Sequence, residues 1–366
     1  MNSTTAFVWI TVVIDLIWLL SLIGLPFLMN AMLMGVYVPP QERSLPQLRA
    51  IRLRFLMISL SGALLGGLLS FAAYRLSDGS EGWTLSCLLV LQAAAVIAAW
   101  AFSRRQALAL KAQRGWKAPD SSKRTAYIGT DTQKNPAGIR AWAYLLHVAI
   151  IALCALLTVL SWDRIPDLVP MHFDAAGLPD RYAAKSVGSV FTLNLLQILI
   201  TGLFAGIHFS VGRTRQNLDP ADPRGSLRKQ TLFRGANAYV LYTLSLVVVL
   251  MFGWIQARST YDFRGTLPIG YALAFLLLLT VMLAAFFIYL KKRGLDDMGT
   301  NRHHGEDRYW RGGAFYCNPQ DPAIMVEKRI GFGWTFNFAR PASWLILAAI
   351  LFLPAAAIVI AFTAGS

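Results

Sequence analysis

Charge is scarce in this chain. Only 14% of its 366 residues are Asp, Glu, Lys or Arg, where a soluble domain carries about 25%. Hydrophobic residues make up 56% and the mean hydropathy is +0.50. That balance excludes the pair of soluble domains that length alone would suggest. Apolar runs long enough to cross a bilayer recur instead. Eight candidate spans lie at about 6–28, 55–74, 85–103, 141–162, 188–211, 237–256, 268–290 and 343–363. At about 1.5 Å per helical residue each crosses a hydrocarbon core roughly 30 Å thick. The first opens as "MNSTTAFVWI", with no basic leader and no small-residue cleavage pattern. It therefore reads as a retained helix rather than a signal peptide.

Cysteine is also scarce. Cys87 and Cys154 fall in predicted spans, Cys317 falls in a loop, and no CxxC occurs. Disulfides and a thiolate metal centre are not expected. HExxH, EF-hand, nucleotide-binding and nucleophile-elbow patterns are missing too, so no metal, cofactor or catalytic residue is assigned. An isolated "GGAF" at 312–315 is too little for a phosphate site.

What is abundant is positive charge, at +15 overall. Of the 34 Lys and Arg residues, 28 fall in one alternating set of connections and 6 in the other. The positive-inside rule assigns the rich set to the cytoplasm and both termini to the opposite side. The excess is thus a topology signal that also attracts anionic lipid. A nucleic-acid partner is not expected.

Two connections carry distinctive chemistry. The stretch "DRIPDLVPMHFDAAGLPDRYAAKS" at 163–186 belongs to the outer set. Its prolines and turn residues stiffen the chain, which lowers the entropy lost on ordering. His172 is an acid, base or ligand candidate near neutral pH, with nearby aspartates to orient it. A rigid recognition cap is favoured over catalysis, with Pro170, His172, Phe173, Asp174, Gly177, Pro179, Asp180 and Lys185 as candidate ligand contacts. The inner connection 291–342 has short aromatic and β-branched runs broken by "NPQDP" and "GFG", which predicts small strands joined by turns. Its aromatics suit either a core or a membrane-facing surface. The inner connection at 104–140 begins as a basic helical extension and then turns irregular. Within the spans, Asp15, His147, Asn194 and Gln197 are polar candidates for a pathway or for interhelical hydrogen bonds.

The fold class expected is an all-α polytopic membrane protein of about eight transmembrane helices, with a small β-like cytoplasmic module before the last helix. The divisions run over 1–140, 141–211, 212–290, 291–342 and 343–366.

Ile165-Pro166, Pro170, His172-Phe173-Asp174, Gly177, Pro179-Asp180 and Lys185-Ser186 resemble the signature of the domain of unknown function 1648. A second series resembles the domain of unknown function 5808. It comprises Trp310, Phe315-Tyr316, Asn318-Pro319, Asp321-Pro322, Val326, Lys328-Arg329, Gly331, Gly333, Thr335, Asn337-Phe338 and Pro341. Gly35, Val36 and Pro39 are similar to a segment common near the start of such chains. The first domain also occurs in the Sdp toxin-immunity membrane proteins of spore-forming bacteria. The resemblance implies a bacterial cytoplasmic-membrane protein that senses or resists an envelope peptide. Its expected partners are the lipid bilayer, an envelope peptide ligand and a cytoplasmic regulator. A transporter using the intramembrane polar residues is the alternative. A membrane enzyme acting on envelope precursors has the least support.

Overall fold

A computed structural model describes residues 8–9, 11–13, 15, 32–77, 81–117, 138–173, 177–212, 222–261, 269–295, 307–329 and 333–363. Seven long helices occupy most of these residues: α1 (Pro46–Leu76), α2 (Glu81–Arg114), α3 (Leu145–Leu160), α4 (Val187–Gly212), α5 (Pro223–Tyr261), α6 (Ile269–Lys292) and α7 (Pro341–Thr363). Six of them contain segments long and apolar enough to cross a membrane. The seventh, α7, is an apolar helix of 23 residues, about 34 Å long. The protein is a multi-pass helical membrane protein. Most of the expected span 6–28 lies outside the described residues.

Two helices start well before the apolar runs that reveal them. Helix α1 begins at Pro46, with proline in its first turn, where the missing N–H costs nothing. Leu48, Ile51 and Phe55 form its buried stripe, while Arg49, Arg52 and Arg54 interrupt the hydropathy. Helix α5 begins at Pro223 rather than near 237. The Asp222 carboxylate caps it by accepting the Gly225 N–H at 2.9 Å. Both extensions are held by an amphipathic face, which a search for continuous apolar runs misses.

Among the described residues the strands form four antiparallel pairs. Strands β1 (Met32–Leu33) and β2 (Val36–Tyr37) pair around Met34-Gly35. Both turn residues have positive φ, 48° and 74°, as a tight two-residue hairpin turn demands. Strands β3 (Leu168–Phe173) and β4 (Pro179–Ala184) join α3 to α4. In the module, β5 (Trp310–Arg311) pairs with β6 (Phe315–Tyr316), and β7 (Met325–Glu327) with β8 (Trp334–Phe336). A bridge between Tyr316 and Asn337 links the two pairs.

The alternating course of the helices sets β3–β4 at one end of the bundle. The first hairpin, the α1 and α5 extensions and the module gather at the other, which we call the basic end. A core forms there from Leu33, Val36 and Val38 of the first hairpin, Leu48 and Phe55 of α1, and Ala107, Leu110 and Trp116 around the end of α2. Phe55 meets Trp100 edge-on at 6.1 Å. Leu64, Leu68, Val90 and Ile97, by contrast, are exposed along mid-helix, as lipid-facing positions are.

The module bridges separate helices at the basic end. On one side Trp100 donates its indole N–H to the Gly312 carbonyl at 2.9 Å. Arg104 donates to the Met34 carbonyl at 2.8 Å and packs so closely on Gly313 that a Cβ there would lie 2.2 Å from its guanidinium. The "GGAF" motif is thus a close-packing device. On the other side Phe233 of α5 meets Trp334 at 5.9 Å, beside Leu290 and Leu295. Arg234 lies within electrostatic range of Glu327.

One carboxylate closes the α2 seam. Asp307 accepts hydrogen bonds from Lys111 of α2 and from Arg329 of the module. The Arg329 side chain is wholly buried. Burial opposes ionisation of Asp307, yet the two cations outweigh it and hold the carboxyl below its ordinary value of 3.8. Its contribution is therefore complete above the unfolded pKa and fades as pH falls through the lower folded one. Asp307→Asn is expected to cost about 3 kcal/mol at pH 7. That is the low end for a broken buried pair, because Asp307 is about one-quarter exposed. Thermal unfolding in micelles from pH 7 to 3 checks this, with the gap between wild type and variant narrowing below about pH 4.

Candidate functional site

The β3–β4 hairpin joins α3 to α4 at one end of the bundle. Pro170 faces Tyr182, His172 faces Arg181 and Phe173 faces Pro179, with register shifts on either side of His172. The irregularity turns the His172 ring toward Asp180, and Nδ1 lies 2.6 Å from Oδ1. An ionised carboxylate only accepts, so the imidazole donates from Nδ1. That hydrogen bond is the main cause holding the Asp180 carboxyl below its ordinary value. Both side chains are exposed, which leaves the pair open to a ligand. Gly177, at φ 80°, turns the chain between the strands. Asp174 lies outside the described residues. Among the described residues no three His, Cys, Asp or Glu side chains converge as a metal site.

Lys185 faces inward rather than toward a ligand. Its ammonium donates to the carbonyls of Trp162 and Ile165 at 2.7 and 2.9 Å and sits 5.1 Å over the Trp162 ring. It thereby ties the turn just beyond the end of α3, adding a second donor to the Trp162 carbonyl that already accepts the Ile165 N–H at 3.1 Å. Ser186 and Ser189 exchange backbone-to-hydroxyl bonds at 3.0 and 3.1 Å, a reciprocal cap at the start of α4. Ile165, Val169 and Val190 are buried beneath the hairpin against Trp162, Met171 and Phe191. These contacts clasp the cap to α3 and α4.

Below it, polar side chains run between α3, α4 and α5. Asn194 donates to Gln197 at 3.1 Å, and Gln197 to the Val249 carbonyl at 2.8 Å. Gln256 donates to Thr158 at 2.9 Å and to Asn194 at 2.5 Å. Nearer the basic end, His147 is fully buried with Nε2 at 2.9 Å from the Ser245 hydroxyl. That hydroxyl already donates to the Tyr242 carbonyl, so His147 carries its proton on Nε2. Tyr144 stands 3.2 Å from His208 Nδ1 and packs against the rings of His147 and Tyr242. At Gly253 the three helices close up: a Cβ would lie 2.8 Å from Cys154 and 3.4 Å from Gln197.

His147, Asn194 and Gln197 are thus brought into one column, whereas Asp15 stands apart and accepts the Gln92 amide of α2. Sequence reasoning missed Tyr144, Thr158, His208, Tyr242, Ser245 and Gln256. A helical-face signal was available, since Ser245 and Gln256 are eleven residues apart, three turns of one helix.

The module motif is mainly an internal frame. Trp310 and Tyr316 pack at 5.0 Å, and the Tyr316 hydroxyl donates to Asp321 at 3.0 Å. Burial pushes that phenol up to about 12. Asn318 donates to the Tyr316 oxygen at 3.1 Å. Buried Asn337 accepts the Asn318 N–H at 3.0 Å and donates to the carbonyls of Asn318 and Asp321. Pro319 and Pro322 punctuate this turn, Gly333 accepts the Lys328 N–H, and Pro341 opens α7. Gly331 lies outside the described residues.

Comparison with known proteins agrees with these two segments. Residues 149–198 match the model of a domain of unknown function, DUF1648. Residues 319–344 match that of a family of unknown function, DUF5808. An uncharacterized protein of Archaeoglobus fulgidus is 29% identical over 156 residues, which cover 40% of this chain and 84% of that protein. No solved structure matches.

The polar column makes a measurable claim. Asn194→Leu and Gln256→Leu are expected to show a coupling energy of about 0.5–2 kcal/mol in a double-mutant cycle. Reversible unfolding in mixed micelles reads it, and strict additivity would separate the two side chains.

Proposed function

We propose that the protein is an envelope sensor or protective protein of the cytoplasmic membrane. In this reading the β3–β4 hairpin is extracytoplasmic and recognises a membrane-active peptide, while the basic end faces the cytoplasm and a regulatory partner. Both termini then lie outside. The single observation that carries the reading is continuity. The exposed His172–Asp180 pair is clasped to α3 and α4, which share a polar column with α5. At its far end α5 packs Phe233 on Trp334 of the module. A ligand that favours one setting of the cap thereby has a packed route to the other side, which a two-state switch requires. The close approach at Gly253 supports this reading over a solute pathway through the same three helices. The segment's match to the domain of unknown function 1648, which the sequence resemblance relates to the Sdp immunity proteins, supports the same reading.

Orientation and activity are tested together. In a background with Cys87, Cys154 and Cys317 replaced, an impermeant thiol reagent on intact cells is expected to label Tyr182→Cys. Gln320→Cys, at an exposed position of the module, is expected to react only after lysis. The reverse pattern inverts the proposed topology. Deletion is expected to increase susceptibility to membrane-active peptides or to change transcription of neighbouring genes. Wild type restores the response and His172→Ala at equal expression does not. Unchanged susceptibility and unchanged transcription after deletion would end the sensing proposal.

A further inference from the structure

The β5–β6 hairpin presents an aromatic ladder whose depth is fixed by two tryptophans. Trp100 lies four residues before the Arg104-Arg105 pair that ends the uncharged part of α2. Trp344 lies four residues after Arg340, in the first turn of α7. Both are four residues, or about 6 Å along a helix, from the nearest arginine in the chain, the depth at which tryptophan settles at the edge of a bilayer. Each donates its indole N–H to the module: Trp100 to the Gly312 carbonyl at 2.9 Å and Trp344 to the Phe338 carbonyl at 3.0 Å. The hairpin and the chain leading into α7 are therefore tied to interfacial side chains at two points.

Between those ties the rings run on continuously. Phe338 meets Trp344 edge-on at 5.4 Å and Phe315 edge-on at 5.6 Å. Phe315 remains 58% exposed, Trp344 56% and Leu345 72%. An apolar surface thus passes without a break from the apolar helix α7 onto the module. Arg311 is exposed directly across the strand pair from Phe315, so the two side chains share one face. Among the described residues no carboxylate pairs with Arg311.

We infer that this face is a lipid-binding surface, with Phe315 in the boundary between headgroups and acyl chains and Arg311 on the phosphate of an anionic phospholipid. The occupant follows from continuity with the apolar helix α7, whose large apolar side chains Trp344, Leu345, Leu351 and Phe352 are exposed, and from charge complementarity. A planar guanidinium suits a phosphate, and an aromatic ring suits the layer beneath it. The arrangement makes the seating of the module depend on the lipid around it. It holds whichever leaflet carries the basic end, and it does not rest on the sensing proposal.

The full-length protein, freed of its three cysteines and labelled at Phe315→Cys with an environment-sensitive dye, tests this in nanodiscs. With phosphatidylcholine and phosphatidylglycerol together, blue-shifted emission is expected, with several-fold stronger quenching by lipids brominated high in the acyl chain than at Gln320→Cys. The response is expected to fall when phosphatidylglycerol is omitted, and in Arg311→Gln. Water-like emission without quenching would overturn the inference. So would a blue shift without quenching, which would mean a protein contact. Equal quenching at 315 and 320 would overturn it as non-specific. A response indifferent to both phosphatidylglycerol and Arg311→Gln would overturn the assignment to anionic lipid.

Discussion

Inside hydrocarbon a polar group has no water to turn to, and the rest of this structure depends on that constraint. It enforces helices across the core, because only a helix satisfies every backbone group within its own segment. It also decides where the polar side chains go. Asn194, Gln197 and Gln256 meet one another, a threonine hydroxyl and a backbone carbonyl, rather than scatter over lipid-facing surfaces. The hydrophobic effect cannot hold two apolar helices together in lipid, so close packing and shared hydrogen bonds take its place. Gly253 against Cys154 supplies the first, and the amide column supplies the second.

Outside the hydrocarbon the older rules return. The buried cluster around Leu33, Phe55, Leu110 and Trp116 forms where water reaches the chain. The module docks there through the means of a soluble protein: an indole bond, an aromatic contact and a shared carboxylate. The molecule thus has two interiors, each governed by its own solvent. The core of the module belongs to the wet one.

Legibility in the sequence divides along the same line. The spans were readable because hydropathy responds to the same transfer energy that inserts them. The first turns of α1 and α5 were not, because arginines at 49, 52 and 54 and at 224 and 228 break the run without breaking the helix. His147, Asn194 and Gln197 stood out as polar residues in apolar surroundings. Tyr242, Ser245 and Gln256 did not, since their significance lies in which neighbouring helix they meet. Module positions such as Tyr316, Asn318, Asp321 and Asn337 were visible as a motif. That they mostly bind one another depends on the fold that brings Asn337 back against Asn318 and Asp321. Lys185 was expected among ligand contacts, and its ammonium donates to the two carbonyls of Trp162 and Ile165 just beyond α3.

The shared carboxylate carries a consequence for assembly. Asp307 is 196 residues beyond Lys111, and four membrane-crossing helices are synthesised between them. Arg329 follows Asp307 by 22 residues. While the chain is emerging from the ribosome, Lys111 therefore lacks this carboxylate until α3 to α6 have been synthesised. The clasp acts as a late fastening, and a chain truncated before residue 329 lacks the buried arginine needed to complete it.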